Sequence, residues 1–272
     1  MKSITILGID GKESDSLELP EIFETPYRPE VMHKVYVNLL SHIYQRQGRY
    51  PAAGEIVSAE SRNTGLGIAR LARARGEGFQ RAGQAAGVAG VRHGRVAHPP
   101  ESWKNIYKKI NKKEKQLGIC SAIAATSRKD LIIKRGHKIG GLSVFPIVVS
   151  NDIESISKTK DLKKALVSLG LEEDLIRARL SHKARSGTSR RRGRVARSGI
   201  SALIVVEKDE NLKRLSGSIT GVEVKQVQRL SVLDLMPGSK PIRLTIFSQS
   251  AVEKLKDIKA PVLRIMEMIR NK

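Results

Sequence analysis

The sequence predicts an α/β fold with a mainly parallel sheet, interrupted by a long loop rich in arginine and glycine. Three observations carry that reading. Short runs dense in Val and Ile (SITILGI, FPIVVS, ALIVV, VEVKQV, RLTIFSQS) recur along the chain, and continuous apolar runs of this length suit strands covered on both faces. Helical spacings fall between them, as successive βαβ units require. In two places the alternation lapses, first into a stretch of Arg, Gly and Ala and later into an arginine-rich loop, and both read as excursions from an otherwise closed body.

In chain order, residues 3–9 form the first strand, followed by the turn residues DGKES. The spacing predicts a helix over 29–46, because Val31, Val35, Leu39 and Ile43 recur at steps of four beside Val37 and Leu40. The extension 45–100 comes next. Residues 101–127 read as a long helix, Lys-rich at first and apolar through LGICSAIAAT. FPIVVS (145–150) is a buried strand. The helix at 158–170 stops at Gly170, a residue suited to a helix C-terminus. LEEDLIRARL is a short helix leading into the second basic stretch. Residues 201–209 are a strand, NLKRLSG a short helix, and 222–227 and 243–250 two more strands. A last helix should run to the C-terminus with a break near Pro261. These elements describe a three-layer, Rossmann-like body made of 1–44 and 101–272, an extension at 45–100, and a basic loop at 177–199 within the body.

The net charge is +23, and the aromatic content of 4% leaves the core to aliphatic side chains. So large a charge repels itself in a folded chain and points to a polyanionic partner. A membrane is the weaker candidate. The sequence has no run of 18 apolar residues to span a bilayer, and its N-terminus does not resemble a signal peptide. Cys120 is the single cysteine, so no internal disulfide is expected, and a cytoplasmic location follows.

The charge is also segregated by type. Residues 45–100 hold nine Arg, three Glu and no Lys, while 177–199 hold eight Arg, one Lys and no acidic residue. The remaining sequence is dominated by Lys. Guanidinium binds phosphate through a planar fork, stacks on bases and sheds water more readily than ammonium. The bias therefore favours close contact with nucleic acid over a merely solvated face. Ten of the 23 glycines lie in 45–100, and a segment so poor in large apolar residues cannot offset its own ordering entropy. Candidate nucleic-acid contacts there include Arg46, Arg49, His93 and His98; for the two histidines plain solvent exposure is the other reading. A flexible linker is the bland alternative for the whole segment.

Catalytic signals are few. TGLGIA (64–69) starts like a dinucleotide loop but follows no convincing strand. No phosphate loop, nucleophile elbow or metal-binding His/Cys pattern occurs, so no cofactor or metal is expected. His137, in KRGHKIGG, reads as a hydrogen-bonding loop residue. Trp103 and Tyr107 could pack on the body or stack on a base. Phe79 stands amid Gly and Arg with no local core to join, which suggests RNA or protein contact. An RNA-modifying or nucleotide-dependent enzyme and a free RNA chaperone stay open as alternatives.

The order of these pieces is similar to the universal large-subunit ribosomal protein L-four family in its archaeal and eukaryotic form. The stretches that carry the resemblance are LPEIFETPYRPEV, GRVAHPP, NKKEKQLGICSAIAATS, RGHKI, FPIVVSND, GTSRRRGRVAR before ALIVV, and RLTIFSQSAVEKL. The resemblance implies a non-catalytic constituent of the large ribosomal subunit that binds its RNA early in assembly. It implies an extension threading through that RNA, with a tip around Arg73, Arg75, Glu77, Phe79 and Arg81 lining the peptide exit tunnel. There it would lie beside the L-twenty-two family protein and the passing nascent peptide. Arg62, Arg70, Arg92 and Arg95 would bind phosphates along the stalk. Arg185, Arg190, Arg191, Arg192, Arg194 and Arg197 would clamp a second RNA surface or a neighbouring ribosomal protein.

Overall fold

The computed structural model describes residues 3–91, 93–140, 142, 144–209 and 211–258. The chain divides into two units, one made of the described residues up to Leu40 and from Lys108 onward, the other of Ser41–Tyr107.

The first unit is a mixed α/β body. Strand β1 (Ser3–Leu7) pairs antiparallel with β2 (Glu13–Glu18), and α1 (Pro29–Leu40) follows. The second unit contains the short strands β3 (Ala59–Ser61) and β4 (Ala72–Ala74). The body resumes with α2 (Lys112–Ala125), α3 (Lys129–Arg135), β5 (Ile147–Val149), α4 (Asp152–Ser155), α5 (Thr159–Ser168) and α6 (Glu172–Leu180). A small hairpin follows, β6 (Lys183–Ala184) and β7 (Ala196–Arg197), with α7 (Gly187–Arg191) in its loop. Then come β8 (Leu203–Val206), α8 (Leu212–Ser216), β9 (Glu223–Gln226), α9 (Val232–Leu235), β10 (Thr245–Ser248) and α10 (Gln249–Leu255).

The main sheet has six strands in the order β2-β1-β5-β10-β8-β9, and every pairing except β1 with β2 is parallel. All residues of β5, β8 and β10 are buried, which is why β5 and β8 read as unbroken apolar runs. Side chains alternate between two cores. Val148, Leu203, Val205 and Phe247 join α1, α2, α9 and α10 in one cluster. Ile147, Val149, Ile204, Val206 and Ile246 join residues of α3, α4, α5, α6 and α8 in the other. Among the larger packings, α1 lies close on α2 because Gly118 presents no side chain; a Cβ there would sit 2.8 Å from Val35 Cγ2.

Several boundaries differ from the sequence reading. Edge strand β2 occupies residues taken partly as turn. It is polar and mostly exposed, so apolar patterning could not reveal it, and its acidic side chains suit an unpaired sheet edge. Helix α1 ends at Leu40, not Arg46, since Ile43 is exposed and has no core to face. Helix α2 starts at Lys112, not 101. Residues 101–111 do carry Trp103, Ile106, Tyr107 and Ile110 at helical spacing, but none of the four is buried and no helix forms there, whereas seven residues of α2 are buried. Gly170, at φ +78, terminates the α5 region as expected. Pro261 lies outside the described residues.

Candidate nucleic-acid interface

The second unit is a ribbon without a core. None of the described residues of 42–107 is buried. Its order is backbone-built: Ala59, Glu60 and Ser61 pair with Ala74, Arg73 and Ala72, while Ala74 and Ala86 N–H donate to Gln84 and Ala72 carbonyls at 2.9 Å. Gly54, at φ +85, lies so close to Arg95 that a Cβ would fall 2.9 Å from its Cα. Small residues thus let the strands of this unit approach where side chains would not fit.

The arginines of this unit fall into two groups. Some are used internally: Arg46 lies over the Tyr107 ring at 5.1 Å, and that ring stacks on His42. Arg49 donates to the Ala53 carbonyl (2.8 Å), Arg73 to the Gly83 carbonyl (2.9 Å), and Arg75 pairs with Glu60. The others, Arg62, Arg70, Arg81 and Arg95, are exposed and have no partner among the described residues. His93, at φ +63, and His98 are exposed as well, as is Glu77; Arg92 lies outside the described residues. Phe79 keeps 47% exposure and Trp103 66%, so neither is absorbed by packing. TGLGIA is exposed throughout and lies beside no phosphate-cradling strand–helix turn.

The second arginine stretch becomes a hairpin on the body. Lys183 faces Arg197 and Ala184 faces Ala196, and the Arg185 N–H donates to the Val195 carbonyl at 2.9 Å. This brings Arg190, Arg191, Arg192 and Arg194 to the loop end of the hairpin, all exposed, with Arg185 half-buried nearer the base. No acidic residue falls within 175–206 of the sequence, so the hairpin's charge is not neutralised locally.

Beneath the hairpin is a buried polar network that the sequence concealed. Asp174 is wholly buried and accepts from His137 Nδ1 (3.2 Å), Lys138 N–H (3.1 Å), Arg177 Nε (2.9 Å) and Ser201 Oγ (2.6 Å). Burial alone would raise its pKa, but the donors of His137, Arg177 and Ser201 outweigh it and hold the carboxyl well below the usual range. Burial lowers the His137 pKa despite Asp174, so the ring is neutral. Its Nδ1–H faces Asp174 and its Nε2 accepts from the Leu244 N–H (3.3 Å). Arg243, 1% exposed, donates to the Ser201, Ala202 and Gly221 carbonyls and to Glu223. These groups tie together the starts of β8, β9 and β10.

At the opposite ends of the strands the sheet is closed. Open α/β sheets hold ligands beyond the strand C-termini where successive connections leave on opposite faces. Here α4 leaves β5 toward one core and α10 leaves β10 toward the other. That crevice is bridged by Glu154, whose Oε1 accepts from Ser248 Oγ and Ser250 Oγ (both 2.7 Å) and the Glu207 N–H (3.1 Å). Asn151 Oδ1 accepts from the Ser250 N–H at 2.8 Å. The sheet's customary ligand position is therefore occupied by the protein's own polar groups. Cys120 is buried, and burial pushes its thiol up to about 11, far from a poised nucleophile. Among the described residues, no helix is long and apolar enough to cross a membrane.

Fold and surface define a strongly basic α/β protein that displays guanidinium groups on a coreless ribbon and on a hairpin. Residues 17–258 match the ribosomal protein L4/L1 family, and the chain belongs to that family, whose members are structural ribosomal proteins and not enzymes. It is 37% identical over 258 residues to the large ribosomal subunit protein uL4 of Methanosphaera stadtmanae, covering 95% of this chain and 98% of that protein. It is 39% identical over 259 residues to the uL4 protein of Pyrobaculum aerophilum, with 94% and 90% covered. With the uL4 protein of Methanococcus vannielii it shares 37% identity over 256 residues, covering 94% and 99%. The relatives are archaeal, in keeping with the form that the sequence resembles.

Proposed function

We propose that this chain is a structural constituent of the large subunit of the cytoplasmic ribosome, where it binds large-subunit ribosomal RNA early in assembly. A Rossmann-like, three-layer frame serves as scaffold. The extension 45–100 threads through RNA and its tip, around Arg73, Arg75, Glu77, Phe79 and Arg81, lines the peptide exit tunnel beside the L-twenty-two family protein. Arg62, Arg70, Arg92 and Arg95 neutralise phosphates along the stalk, with Arg46, Arg49, His93 and His98 toward its ends. The hairpin residues Arg185, Arg190, Arg191, Arg192, Arg194 and Arg197 hold a second RNA surface.

The observation that carries this reading is the absence of any buried residue among the described residues of 42–107, together with exposed, unpartnered arginines there. Such a ribbon gains order from a partner that fills around it, and folding then accompanies binding. Changing Arg190, Arg191 and Arg192 together to Ala should lower the slope of log K against log salt by about 2, taking roughly 0.7–0.9 per lost phosphate contact. An unchanged slope would mean that these side chains face solvent or protein. A photoreactive group at position 79 should crosslink in cells to a small set of large-subunit RNA sites. Crosslinks spread over many messages would instead favour a free RNA chaperone.

A further inference from the structure

RGHKI (135–139) marks a second feature of the body that the arginine loops do not explain. An open depression of about 790 Å³ lies between the ends of α3 and α6, the base of the β6–β7 hairpin and the turn at Pro237–Lys240. Arg135, Arg177, Lys183, Arg197 and Lys240 line it, and none of its lining residues is acidic. These cations come from separate elements, so they meet only in the folded chain.

Arg135 is held as a fixed charge. Its guanidinium donates to the Pro241 carbonyl (2.8 Å), the Pro237 carbonyl (2.9 Å) and the Lys240 carbonyl (3.4 Å), with no carboxylate partner among the described residues. Arg177 is oriented by the buried Asp174 and by the Ile200 carbonyl (2.7 Å), and Asp174 spends its charge on that arginine. Four cations, Arg135, Lys183, Arg197 and Lys240, are left uncompensated around one space. Burial, then repulsion from Arg243 and Arg177, depresses Arg135 to about 10, as expected of a cation crowded by others.

From this geometry we infer that the depression is a phosphate-binding pocket for the RNA backbone, continuous with the hairpin through Lys183 and Arg197. Its volume suits a phosphodiester with its sugar rather than a bare ion, by the usual 300–1,000 Å³ scale of ligand sites. A strand gripped by the hairpin loop passes a phosphate to Arg135, whose fork is positioned in advance by carbonyls and loses little freedom on binding. Asp174 acts as a positioning residue, since it fixes Arg177 at the pocket wall and touches no ligand.

The inference rests on the RNA-binding reading, and the test separates the two. Full-length wild type, K183Q/K240Q and R190A/R191A/R192A are titrated with in vitro transcribed large-subunit ribosomal RNA across a salt series. Lys183 and Lys240 are exposed, so the double variant should melt like wild type. The expected result is a slope reduced by about 1.5 in K183Q/K240Q, from roughly 0.7–0.9 per contact. A reduction in the hairpin triple alone, with K183Q/K240Q unchanged, overturns the pocket and leaves the RNA reading standing. A wild-type slope near zero overturns both. In assembled subunits, a photoreactive group at position 240 should crosslink to RNA; crosslinks only to an acidic protein segment would also overturn the pocket.

Discussion

Replacing Asp174 by Ala strips one carboxylate from beneath four donors: His137 Nδ1, Lys138 N–H, Arg177 Nε and Ser201 Oγ. The carboxylate is wholly buried, while the Arg177 side chain is 29% exposed. Arg177 and the exposed Lys138 can therefore turn partly to water, whereas the buried donors of His137 and Ser201 cannot. Breaking a buried pair from one side costs about 3–5 kcal/mol, and a buried donor left alone about 1–3 kcal/mol. With Arg177 partly relieved, the sum falls near ~4 kcal/mol. At about 2–4 °C per kcal/mol for a body of this size, the melting point should drop by about 8–16 °C. Thermal unfolding of the full-length protein by circular dichroism at neutral pH measures this. A drop of less than about 3 °C would refute the claim that Asp174 organises the strand starts. The same site sets the pH response. His137 titrates below its ordinary 6.5 in the folded chain, so the neutral ring contributes stability above that pH that is lost as pH falls below it. Asp174 titrates below its ordinary 3.8, and its contribution is lost only as pH falls further, through the folded value. Wild type should thus weaken as pH falls below 6.5, and His137→Gln should flatten that part of the curve.

Three other outcomes follow from the packing. Gly118→Ala should destabilise by about 1–2 kcal/mol, because a Cβ 2.8 Å from Val35 Cγ2 overpacks the α1–α2 contact by more than the gain in helix propensity of about 1 kcal/mol; denaturant midpoints measure it, and a stabilised variant would contradict the close approach. Brief trypsin treatment of the free protein should cut first at exposed arginines of 42–107, such as Arg62 and Arg70, and large-subunit RNA should slow those cuts; mass spectrometry of early fragments decides. Glu154→Ala should destabilise the body by about 1–3 kcal/mol through Ser248, Ser250 and the Glu207 N–H, without creating nucleotide binding by calorimetry; heat on nucleotide addition would mean that the crevice is a latent site.

Much of the frame was legible in residue patterns. β5 and β8 are fully covered strands, and their unbroken aliphatic runs announced this, while β10 is equally covered with Thr245 and Ser248 among its residues. Gly170 marked a helix end because few other residues accept its backbone angle. β2 was hidden because an exposed polar edge carries no apolar period. The long helix expected over 101–127 shrank to α2 because a helix is held mainly by tertiary packing, and the Trp103, Ile106, Tyr107 and Ile110 stripe is not buried as the α2 residues are.

By itself the sequence determined the alternation of strands and helices, the aliphatic core, and the sorting of arginine into two stretches with lysine left to the rest. Those are local properties, set by side-chain chemistry and spacing along the chain. Only the tertiary structure decided the strand order, the closing of the sheet crevice by Glu154, and the meeting of Arg135, Arg177, Lys183, Arg197 and Lys240 around one depression. Residues 135 and 240 are far apart in sequence, and nothing in either neighbourhood signals the other. They become one site because Arg135 finds its hydrogen-bond acceptors on the Pro237–Pro241 turn. Such pairings are made when the two cores close on the sheet, and a linear reading carries no record of that closure.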